Sequence, residues 1–399
     1  MKKLKVLFFA EGATLAHVAR PLVLAKGLDP ELFNVVLCRP KSFSWMTVNS
    51  PFTVIDLKCQ DGSVFAQRLE SGAPLYDFET LCNYVEADLG LIDREKPDVI
   101  IGDFRISLSV SARLRSIPYI TICDAYWSPE RPLKPQLPVM KFTRFTPIKL
   151  SEFFFRHISP LAFRIHARPL EHLRAKYHLP SLGYDLRRCY TDADLRLFAN
   201  FPALFPDAIP HPGANFIGPI AWSPDFIGDV VLPSGNNPLI YVTMGSSGNP
   251  HLLEKIIPAL EDLDSRIVVT TAGKKLTFKP KRSSTLVFDF LPGSTICQQA
   301  NLVICNGGSP TTNQALSSGV PVIGIAQNMD QFLNMDAIVA AGAGYMMRGD
   351  RIDQLELRKQ TSRLIYEPSF STAARRLAET ILLTSPCELL VKHINSLCK

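Results

Sequence analysis

The sequence contains no apolar run long enough to cross a membrane. A membrane-spanning helix needs about 20 consecutive apolar residues, and the first apolar run, Val6 to Ala10, is far shorter. It follows three lysines, as the core of a signal peptide would, but it ends at Glu11, too early for that role. We therefore expect a buried first β-strand here.

The nine cysteines form no Cys-x-x-Cys pair and no spacing typical of a metal site. Scattered cysteines of this kind are typical of reduced thiols in an intracellular protein. We therefore expect a cytoplasmic protein, located either free in the cytoplasm or at the inner face of the membrane.

The net positive charge of the chain is concentrated in one segment. Charged residues make up 20% of the 399 residues, against 46% hydrophobic residues, as in globular proteins. The net charge of +6 comes from residues 131–176, which contain ten Lys or Arg and two Glu. The length predicts two domains.

Short apolar runs alternate with helical patterns along the first half of the chain. This alternation predicts a parallel, doubly wound sheet covered by helices. The predicted strands are Val6–Ala10, Val35–Cys38, Thr53–Leu57, Asp98–Asp103 and Tyr119–Ile122. The predicted helices are His17–Gly27, Leu81–Arg94 and Ser107–Leu114.

The alternation breaks after Trp127, where proline-rich sequence precedes a long helical pattern. That helix is predicted over Ser151–Tyr177, with interruptions at Pro160 and Pro169. A further strand is predicted at Leu195–Ala199.

A second alternating half follows a segment rich in Pro, Gly, Asn and Asp, residues 222–237, which we predict to be a linker. The domains are accordingly predicted at residues 1–221 and 238–399. The second half has predicted strands at Leu239–Thr243, Arg266–Thr270 and Thr285–Phe288, and closing helices at Asp353–Ile365 and Phe370–Leu383.

The most informative stretch runs from Leu302 to Asn334. A buried strand is followed by Gly307-Gly308, a turn where the backbone can approach a ligand closely. A helix then begins near Pro310, and the free amides at such a helix start bind anions, most often phosphate. Asp330 and Gln331 follow the next strand, at the edge of the sheet where ligands bind in open α/β folds.

This stretch resembles the donor-binding signature of GT-B glycosyltransferases that use nucleotide-diphosphate sugars, a group that includes UDP-glycosyltransferases and macrolide glycosyltransferases. The signature is His-Gly-Gly-x-Gly-Thr-x-x-Glu-Ala-Leu-x-x-Gly-Val-Pro, then Asp-Gln-x-x-Asn. The matching positions are Gly307, Gly308, Thr311, Ala315, Leu316, Gly319, Val320, Pro321, Asp330, Gln331 and Asn334. Asn306 replaces the His, Pro310 the third Gly, and Gln314 the Glu.

The resemblance implies an α/β protein of the GT-B class, with two Rossmann-like doubly wound parallel-sheet domains and an interdomain cleft. It implies an N-terminal acceptor-binding domain and a C-terminal donor-binding domain. It also implies the residues that hold the donor, which are Gly245, Ser246, Phe290, Leu291, Asn306, Gly307, Gly308, Ser309, Thr311, Thr312, Gln314, Asp330 and Gln331. The resemblance implies that Gly245, Ser246 and residues 306–312 bind the diphosphate. It assigns Phe290 and Leu291 to the base and Gln314 to the ribose. It assigns Asp330 and Gln331 to the sugar.

His17 and Asp103 are the residues that the resemblance implies for catalysis. The family's general base is a His at the start of the first helix, often held by a carboxylate at the position of Asp103. An unperturbed imidazole titrates near ~6.5, which suits proton removal at neutral pH. The residues alone also allow a second interpretation, in which His17 is a polar residue at a helix start and Asp103 caps the next helix.

Two Asp-x-Asp patterns, at Asp192-Ala193-Asp194 and Asp262-Leu263-Asp264, match the metal motif of the other glycosyltransferase fold. Two matches in one chain show how unspecific the pattern is, and we interpret both as solvated carboxylates. We expect no metal and no cofactor beyond a nucleotide-diphosphate sugar acting as co-substrate.

The segment 141–177 combines clustered phenylalanines with basic residues. One interpretation is a helix that packs on the sheet with a basic outer face. The other is peripheral association with an anionic membrane or a lipid acceptor, which we favour. We do not expect nucleic-acid binding, because the aromatic residues cluster rather than forming a spaced stacking platform.

The function predicted is inverting transfer of a sugar, from a UDP- or dTDP-sugar to an acceptor hydroxyl of a lipid or small molecule. Two alternatives remain open at this point. One is a nucleotide-sugar epimerase of the same fold, and the other is a nucleotide-sugar-binding or partner protein that has lost turnover because of Asn306, Pro310 and Gln314.

Overall fold

The computed structural model describes residues 3–132, 134–208, 214–224, 231–246, 248–276, 278–381 and 385–398. The chain divides into two α/β units. Unit 1 comprises Met1–Leu133, Phe154–Ile220 and Thr384–Lys399, and unit 2 comprises Lys134–Phe153 and Ala221–Leu383. Two segments therefore differ from the predicted domain ranges: Lys134–Phe153 groups with unit 2, and Thr384–Lys399 groups with unit 1. The predicted linker contains residues 225–230, which lie outside the described residues.

Unit 1 is built on a parallel sheet that, in the described residues, has seven strands in the order β3-β2-β1-β4-β5-β6-β7. The inner strand β1 is fully buried from Val6 to Ala10, as expected for a parallel strand covered on both faces. The strands are β1 Leu4–Ala10, β2 Phe33–Arg39, β3 Thr53–Asp56, β4 Val99–Asp103, β5 Tyr119–Cys123, β6 Leu195–Phe198 and β7 Ala214–Phe216.

The helices that lie between β1 and β7 along the chain connect successive strands. They are α1 Leu15–Lys26, α2 Gly62–Ser71, α3 Phe78–Glu95, α4 Leu108–Leu114, α5 Ile148–Lys176 and α6 Leu186–Thr191. Short 3-10 turns lie at Lys41–Thr47, Ala125–Trp127, Lys141–Arg144 and Pro202–Leu204. The sequence pattern did not predict α2 and α6, which are short.

Helix α5 is continuous, so the predicted interruptions at Pro160 and Pro169 are wrong. A proline removes one N–H and pushes away the carbonyl four residues before it. For Pro160 that carbonyl belongs to Arg156, and it accepts a hydrogen bond from the Ser159 hydroxyl at 3.1 Å instead. A local side-chain bond thus satisfies the group that the proline leaves without an amide partner.

Unit 2 repeats the architecture with a parallel sheet that has six strands among the described residues, in the order β10-β9-β8-β11-β12-β13. The strands are β8 Leu239–Thr243, β9 Arg266–Thr270, β10 Thr285–Phe288, β11 Leu302–Cys305, β12 Val322–Ala326 and β13 Gly344–Arg348. The helices are α7 Leu253–Glu261, α8 Gly293–Cys297, α9 Ser309–Ser317, α10 Met329–Ala340, α11 Gln354–Tyr366 and α12 Pro368–Ile381, with a 3-10 turn at Pro250–Leu252. Its core joins buried residues of β8, β9, β11 and β12 to α7 and α11.

A last helix, α13 Pro386–Leu397, returns the chain to unit 1. It packs against α1, and its Leu390 and Ile394 are fully buried. The approach is close at Gly27, where a Cβ would lie 2.2 Å from the Cys387 sulfur. The sequence analysis did not predict this helix.

Candidate active site

His17 and Asp103 meet at one edge of the sheet of unit 1. β1 and β4 are neighbours whose carboxyl ends pair Ala10 with Asp103, and His17 lies in the first turn of α1. Nδ1 of His17 lies 2.8 Å from Oδ1 of Asp103. Asp103 is fully buried, whereas 17% of the His17 side chain remains exposed. The neutral ring therefore has Nδ1 fixed by a carboxylate, which leaves Nε2 to accept a proton.

The second interpretation is right that His17 lies at a helix start, but Asp103 does not cap the helix that follows it. Thr14 occupies the N-cap position of α1, and Ser107 that of α4. Both Asp103 oxygens are instead used by His17 and Arg20. The catalytic roles themselves remain predictions.

Arg20 is a residue of this site that the sequence analysis missed. Its Nε and Nη2 each lie 2.8 Å from an oxygen of Asp103, and its Nη1 donates to Asp124 at 2.8 Å. Burial alone would lower the pKa of Arg20, but the two carboxylates more than reverse this and hold it well above its ordinary value. The available signal was its spacing, because residues three apart share a helix face.

The loop after β4 completes the surroundings of His17. Phe104 stacks on the imidazole with ring centroids 4.8 Å apart, and its backbone is left-handed at φ 57°. Arg105, which is fully buried, pairs with Glu11 and Asp88 at 3.0 Å and lies over the ring of Tyr84. Burial would lower the pKa of Arg105, but its carboxylate neighbours raise it overall. This buried network fixes the backbone on which Asp103 and Phe104 are carried.

The predicted diphosphate loop of unit 2 has a backbone that requires glycine. Gly307 has a φ of 81°, and a Cβ there would lie 2.7 Å from Met335. Gly245, which follows the neighbouring strand β8, is also left-handed, at φ 62°. A Cβ at this position would lie 3.8 Å from the side-chain nitrogen of Asn306. α9 then begins after Gly308, whose position provides no side-chain cap. Its first amides therefore face the edge of the sheet without a capping side chain.

Several signature side chains hold this loop in shape. Asn334 donates to the Gly307 carbonyl and to the Thr312 hydroxyl, both at 2.9 Å. Thr312 is fully buried and donates to Gly308. Asn306 accepts from the Gly308 amide at 3.2 Å. Ser309 is buried and Thr311 is half-buried. Contact of these residues with a diphosphate remains a prediction.

The residues predicted to hold the ribose and the sugar also have partners within the unit. The Gln314 amide donates to the Trp222 carbonyl at 2.7 Å. The Gln331 oxygen accepts from the amides of Gln327 and Asn328, forming a capping box at the start of α10. Asp330 is half-buried in the same turn. Their predicted ligand contacts are not in conflict with these bonds, since an amide group has further donors.

The predicted base-binding residues differ in accessibility. The Phe290 ring is 49% exposed and lies against Gly273, whereas Leu291 is buried. Ser246 is exposed beside Gly245. Phe290 therefore presents a free aromatic face, and Leu291 could contact a base only through its backbone.

The two Asp-x-Asp patterns lie outside any recognisable metal site among the described residues. In the part of the chain that the structure describes, no cluster of three or more His, Cys, Asp or Glu is arranged to hold a metal ion. Asp192 is not a solvated carboxylate as predicted, because it pairs with Arg113 at 3.0 Å and Arg174 at 2.9 Å. Asp262 is exposed and pairs with Arg358. None of the helices described is both long and apolar enough to span a membrane.

Known proteins are similar to this chain over nearly its whole length. Residues 254–397 match the family model of the Erythromycin biosynthesis protein CIII-like, C-terminal domain. A PGL/p-HBAD biosynthesis glycosyltransferase of Mycobacterium tuberculosis (strain ATCC 25177 / H37Ra) is 40% identical over 95% of this chain and 89% of its own. A PGL/p-HBAD biosynthesis rhamnosyltransferase of Mycobacterium bovis (strain BCG / Pasteur 1173P2) is 38% identical over 95% of this chain and 84% of its own. The crystal structure of glycosyltransferase VinC in complex with dTDP superposes with a TM-score of 0.68 at 18% identity, covering 99% of each chain.

Two parallel-sheet α/β units, together with this glycine loop and helix start, define a GT-B glycosyltransferase, and the predicted GT-B fold is confirmed. The chain belongs to the glycosyltransferase family that includes the PGL/p-HBAD biosynthesis enzymes. Its predicted activity as a glycosyltransferase is thereby confirmed, and the epimerase alternative gains no support.

Proposed function

We propose that this protein transfers a sugar, with inversion, from a nucleoside diphosphate sugar to a hydroxyl group of its acceptor. The observation that carries the proposal is the His17–Asp103 pair, with Nδ1 and Oδ1 2.8 Å apart and the imidazole partly exposed. An alcohol is a poor nucleophile until its proton is removed, and a positioned imidazole can remove it.

The proposed step balances as a single displacement. Nε2 of His17 takes the acceptor proton while the acceptor oxygen forms a bond to the anomeric carbon. The bond from that carbon to the diphosphate breaks, and the diphosphate leaves with the electron pair. Asp103 stabilises the resulting imidazolium, since its carboxylate already lies against Nδ1.

The donor is proposed to bind on unit 2. The start of α9 offers uncapped amides to the diphosphate, and Gly245 allows close approach of the neighbouring loop. Preorganised donors of this kind stabilise the leaving group most as its charge develops. VinC is described in complex with dTDP, which supports dTDP as one of the two nucleotides, UDP and dTDP, that we propose here.

We propose no further cofactor, because amides and hydroxyls of the α9 start can stabilise a leaving diphosphate without a metal. Turnover is expected to survive exhaustive dialysis against EDTA, compared with a sample dialysed without it. Loss of turnover that Mg²⁺ restores would contradict this.

The acceptor is proposed to belong to PGL/p-HBAD biosynthesis, because the relatives named for that process are 38–40% identical over 95% of the chain. Phe104, half-buried and stacked on His17, places an aromatic surface beside the predicted base. Mass spectrometry of products from candidate acceptors checks this assignment.

His17→Ala is the decisive variant for the mechanism. We expect turnover to fall by roughly 10²–10⁴-fold, the typical contribution of general base catalysis, while nucleotide binding is retained. Asp103→Asn should lose less, and adding it to His17→Ala should cost little more, because groups that act as a unit are non-additive. Near-normal turnover of His17→Ala would place the base elsewhere.

We also propose that the protein associates peripherally with anionic membrane through segment 141–177. Phe145 is 88% exposed, and Leu150, Ile158, Leu161 and Ile165 are between 39% and 59% exposed. Apolar side chains beside exposed Arg156, Arg164 and Arg168 suit a surface of anionic lipid. A location at the inner face of the membrane would follow from such binding.

Vesicle co-sedimentation tests this surface. Binding to vesicles of phosphatidylglycerol and phosphatidylcholine should exceed binding to phosphatidylcholine alone, and should fall with salt as the charges are screened over ~8 Å. Leu161→Ser should weaken it, whereas Leu355→Ser, at an exposed leucine in α11, should not. Equal binding to both vesicle types would leave the segment a basic helix packed on the sheet.

A further inference from the structure

A lysine at the sheet edge of unit 2 lies beside the loop that follows β8. Lys274 follows β9 in a turn whose backbone is left-handed at Ala272 and Gly273, with φ of 54° and 78°. The turn is anchored to the end of β10, because the Thr271 amide donates to Phe288 at 3.0 Å and its hydroxyl to Asp289 at 3.1 Å. The direction of the Lys274 side chain is therefore set by a fixed backbone.

The ammonium group of Lys274 reaches the end of the loop that follows β8. Its Nζ donates to the Gly248 carbonyl at 2.6 Å. Gly248 cannot be replaced easily, since a Cβ there would lie 2.0 Å from the Met244 carbonyl oxygen. Lys274 and the loop after β8 are thus held in contact by two conformationally restricted segments.

Lys274 carries a partly buried positive charge. Lys274 is half-buried, and among the described residues no carboxylate lies within ion-pair distance of its Nζ. Burial lowers the pKa of Lys274, and no opposite charge counters the effect. An ammonium has three donors, and the structure occupies one of them. A partly desolvated cation is costly unless an anion pairs with it.

The position of this cation relates it to the diphosphate loop. The end of β8 pairs with the end of β9 on one side, at Thr243 and Thr270, and with the end of β11 on the other, at Cys305. The loop after β8 is therefore flanked by the Lys274 turn and by the turn that starts at Asn306. Asn306 stands where the family signature has a His, so this turn has lost a side chain that can carry positive charge.

We propose that Lys274 binds the diphosphate of the nucleotide sugar and supplies the positive charge that Asn306 cannot. The inference rests on the proposed function, since it assumes a nucleoside diphosphate donor on unit 2. In this role the two remaining N–H groups of Lys274 face phosphate oxygens, and the charge stabilises the diphosphate as it leaves.

The test is calorimetric titration of UDP and dTDP into wild type and four variants. Lys274→Met should weaken binding of the preferred nucleotide by roughly tenfold to hundredfold, as expected for loss of a charge-assisted bond. Lys274→Arg should retain most of the affinity. The matched control is Lys275→Met, one residue further on at an exposed position, which should bind like wild type.

Lys274→Gln separates the charge from a purely structural contact. Its amide can still donate to the Gly248 carbonyl but carries no charge, so it should bind as weakly as Lys274→Met. Wild-type affinity in Lys274→Gln, or in a folded Lys274→Met, would overturn the inference while leaving the proposed function intact. Failure of wild type to bind either nucleotide would overturn the proposed function and this inference together.

Discussion

At the scale of single residues, the geometry of the predicted catalytic pair in unit 1 depends on Arg20, which pairs with Asp103. Arg20 binds both oxygens of Asp103 and continues to Asp124, whose other oxygen accepts from Asn200 at 3.1 Å. A bidentate arginine fixes the plane of a carboxylate as well as its charge. Asp103 therefore presents Oδ1 to His17 in one orientation, which makes Arg20 a positioning residue.

Arg20→Gln is expected to destabilise the fold and to lower turnover. Removing it leaves two buried carboxylates without their cation, which costs about 3–5 kcal/mol in comparable buried pairs. Urea unfolding measures the free energy. The control is Arg115→Gln, which breaks an exposed pair with Asp93 and should change the free energy of unfolding far less.

A readout specific to positioning is the pH profile of turnover, measured where Arg20→Gln is still folded. Its acidic limb should move to higher pH, because the Asp103 carboxylate would then face His17 alone and favour the protonated ring. An unchanged profile would mean that Arg20 supports the fold only.

At the scale of elements, the helix that carries His17 is supported by the last helix of the chain. α13 lies on α1, with Leu390 and Ile394 buried and Cys387 against the C-cap residue Gly27. Gly27 has ordinary right-handed φ and ψ, so its importance lies in its small size. Any side chain here pushes α13 away from α1.

Gly27→Ala is therefore expected to destabilise the protein by about 1–3 kcal/mol, as overpacking does. The matched control is Gly90→Ala, in the exposed part of α3, where a Cβ meets nothing within 4 Å. That change should stabilise by about 0.5–1 kcal/mol, since alanine favours helix over glycine. Both are measured by urea unfolding.

Combining Gly27→Ala with Cys387→Ala removes the sulfur that the new Cβ would meet. Part of the lost stability should then return. If the double variant is no more stable than Gly27→Ala alone, the two helices do not touch at this point as described.

At the scale of the whole molecule, stability should decline on acidification in two stages. Burial lowers the pKa of His166 and of His393 below the ordinary 6.5. Below pH 6.5 the unfolded chain therefore binds protons that the folded protein does not. The contribution of these two histidines to the free energy of unfolding is fully present above pH 6.5 and is lost on acidification. Glu130 and Asp185 have lowered pKa values despite burial, because arginines donate to them, so their contribution is lost only below about 4.5 and 3.8.

Urea midpoints between pH 8 and pH 3 measure both stages. The first should be small, well under the ~1.4 kcal/mol that a tenfold change in proton affinity represents, because both rings are partly exposed. His166→Gln should match wild type at pH 8 and lose less stability between pH 7 and pH 5. An identical pH dependence would show that His166 contributes nothing to the first stage.

The parts of this molecule that the sequence predicted are those with a local signal. Strands such as Val6–Ala10 follow from short apolar runs, and the glycine loop follows from an ordered motif around Gly307. Gly307 has a φ of 81°, which favours glycine, and a Cβ there would meet Met335. The glycine itself, followed by a helical pattern, is the signal of this turn in the sequence.

What the sequence did not predict depends on contacts between distant residues. Arg20 meets Asp103 across 83 positions, and Arg105 meets Glu11 across 94. Ser159 compensates for Pro160 through a side-chain bond that no helix rule anticipates. Thr312 was predicted to contact the diphosphate, but its hydrogen bond with Asn334, 22 positions further on, was not. Such roles appear only once the strands are ordered.

The return of α13 to unit 1 has a consequence for the order in which the protein is made. Ribosomes add about 5–20 residues per second, so the final helix emerges roughly 20–80 s after the first strand. During that interval α1 has formed beside its sheet with the α13 side still uncovered, and the second α/β unit is synthesised in between. The N-terminal half of this enzyme therefore matures last, and a nascent chain arrested before residue 385 would hold His17 on a helix that still lacks its support.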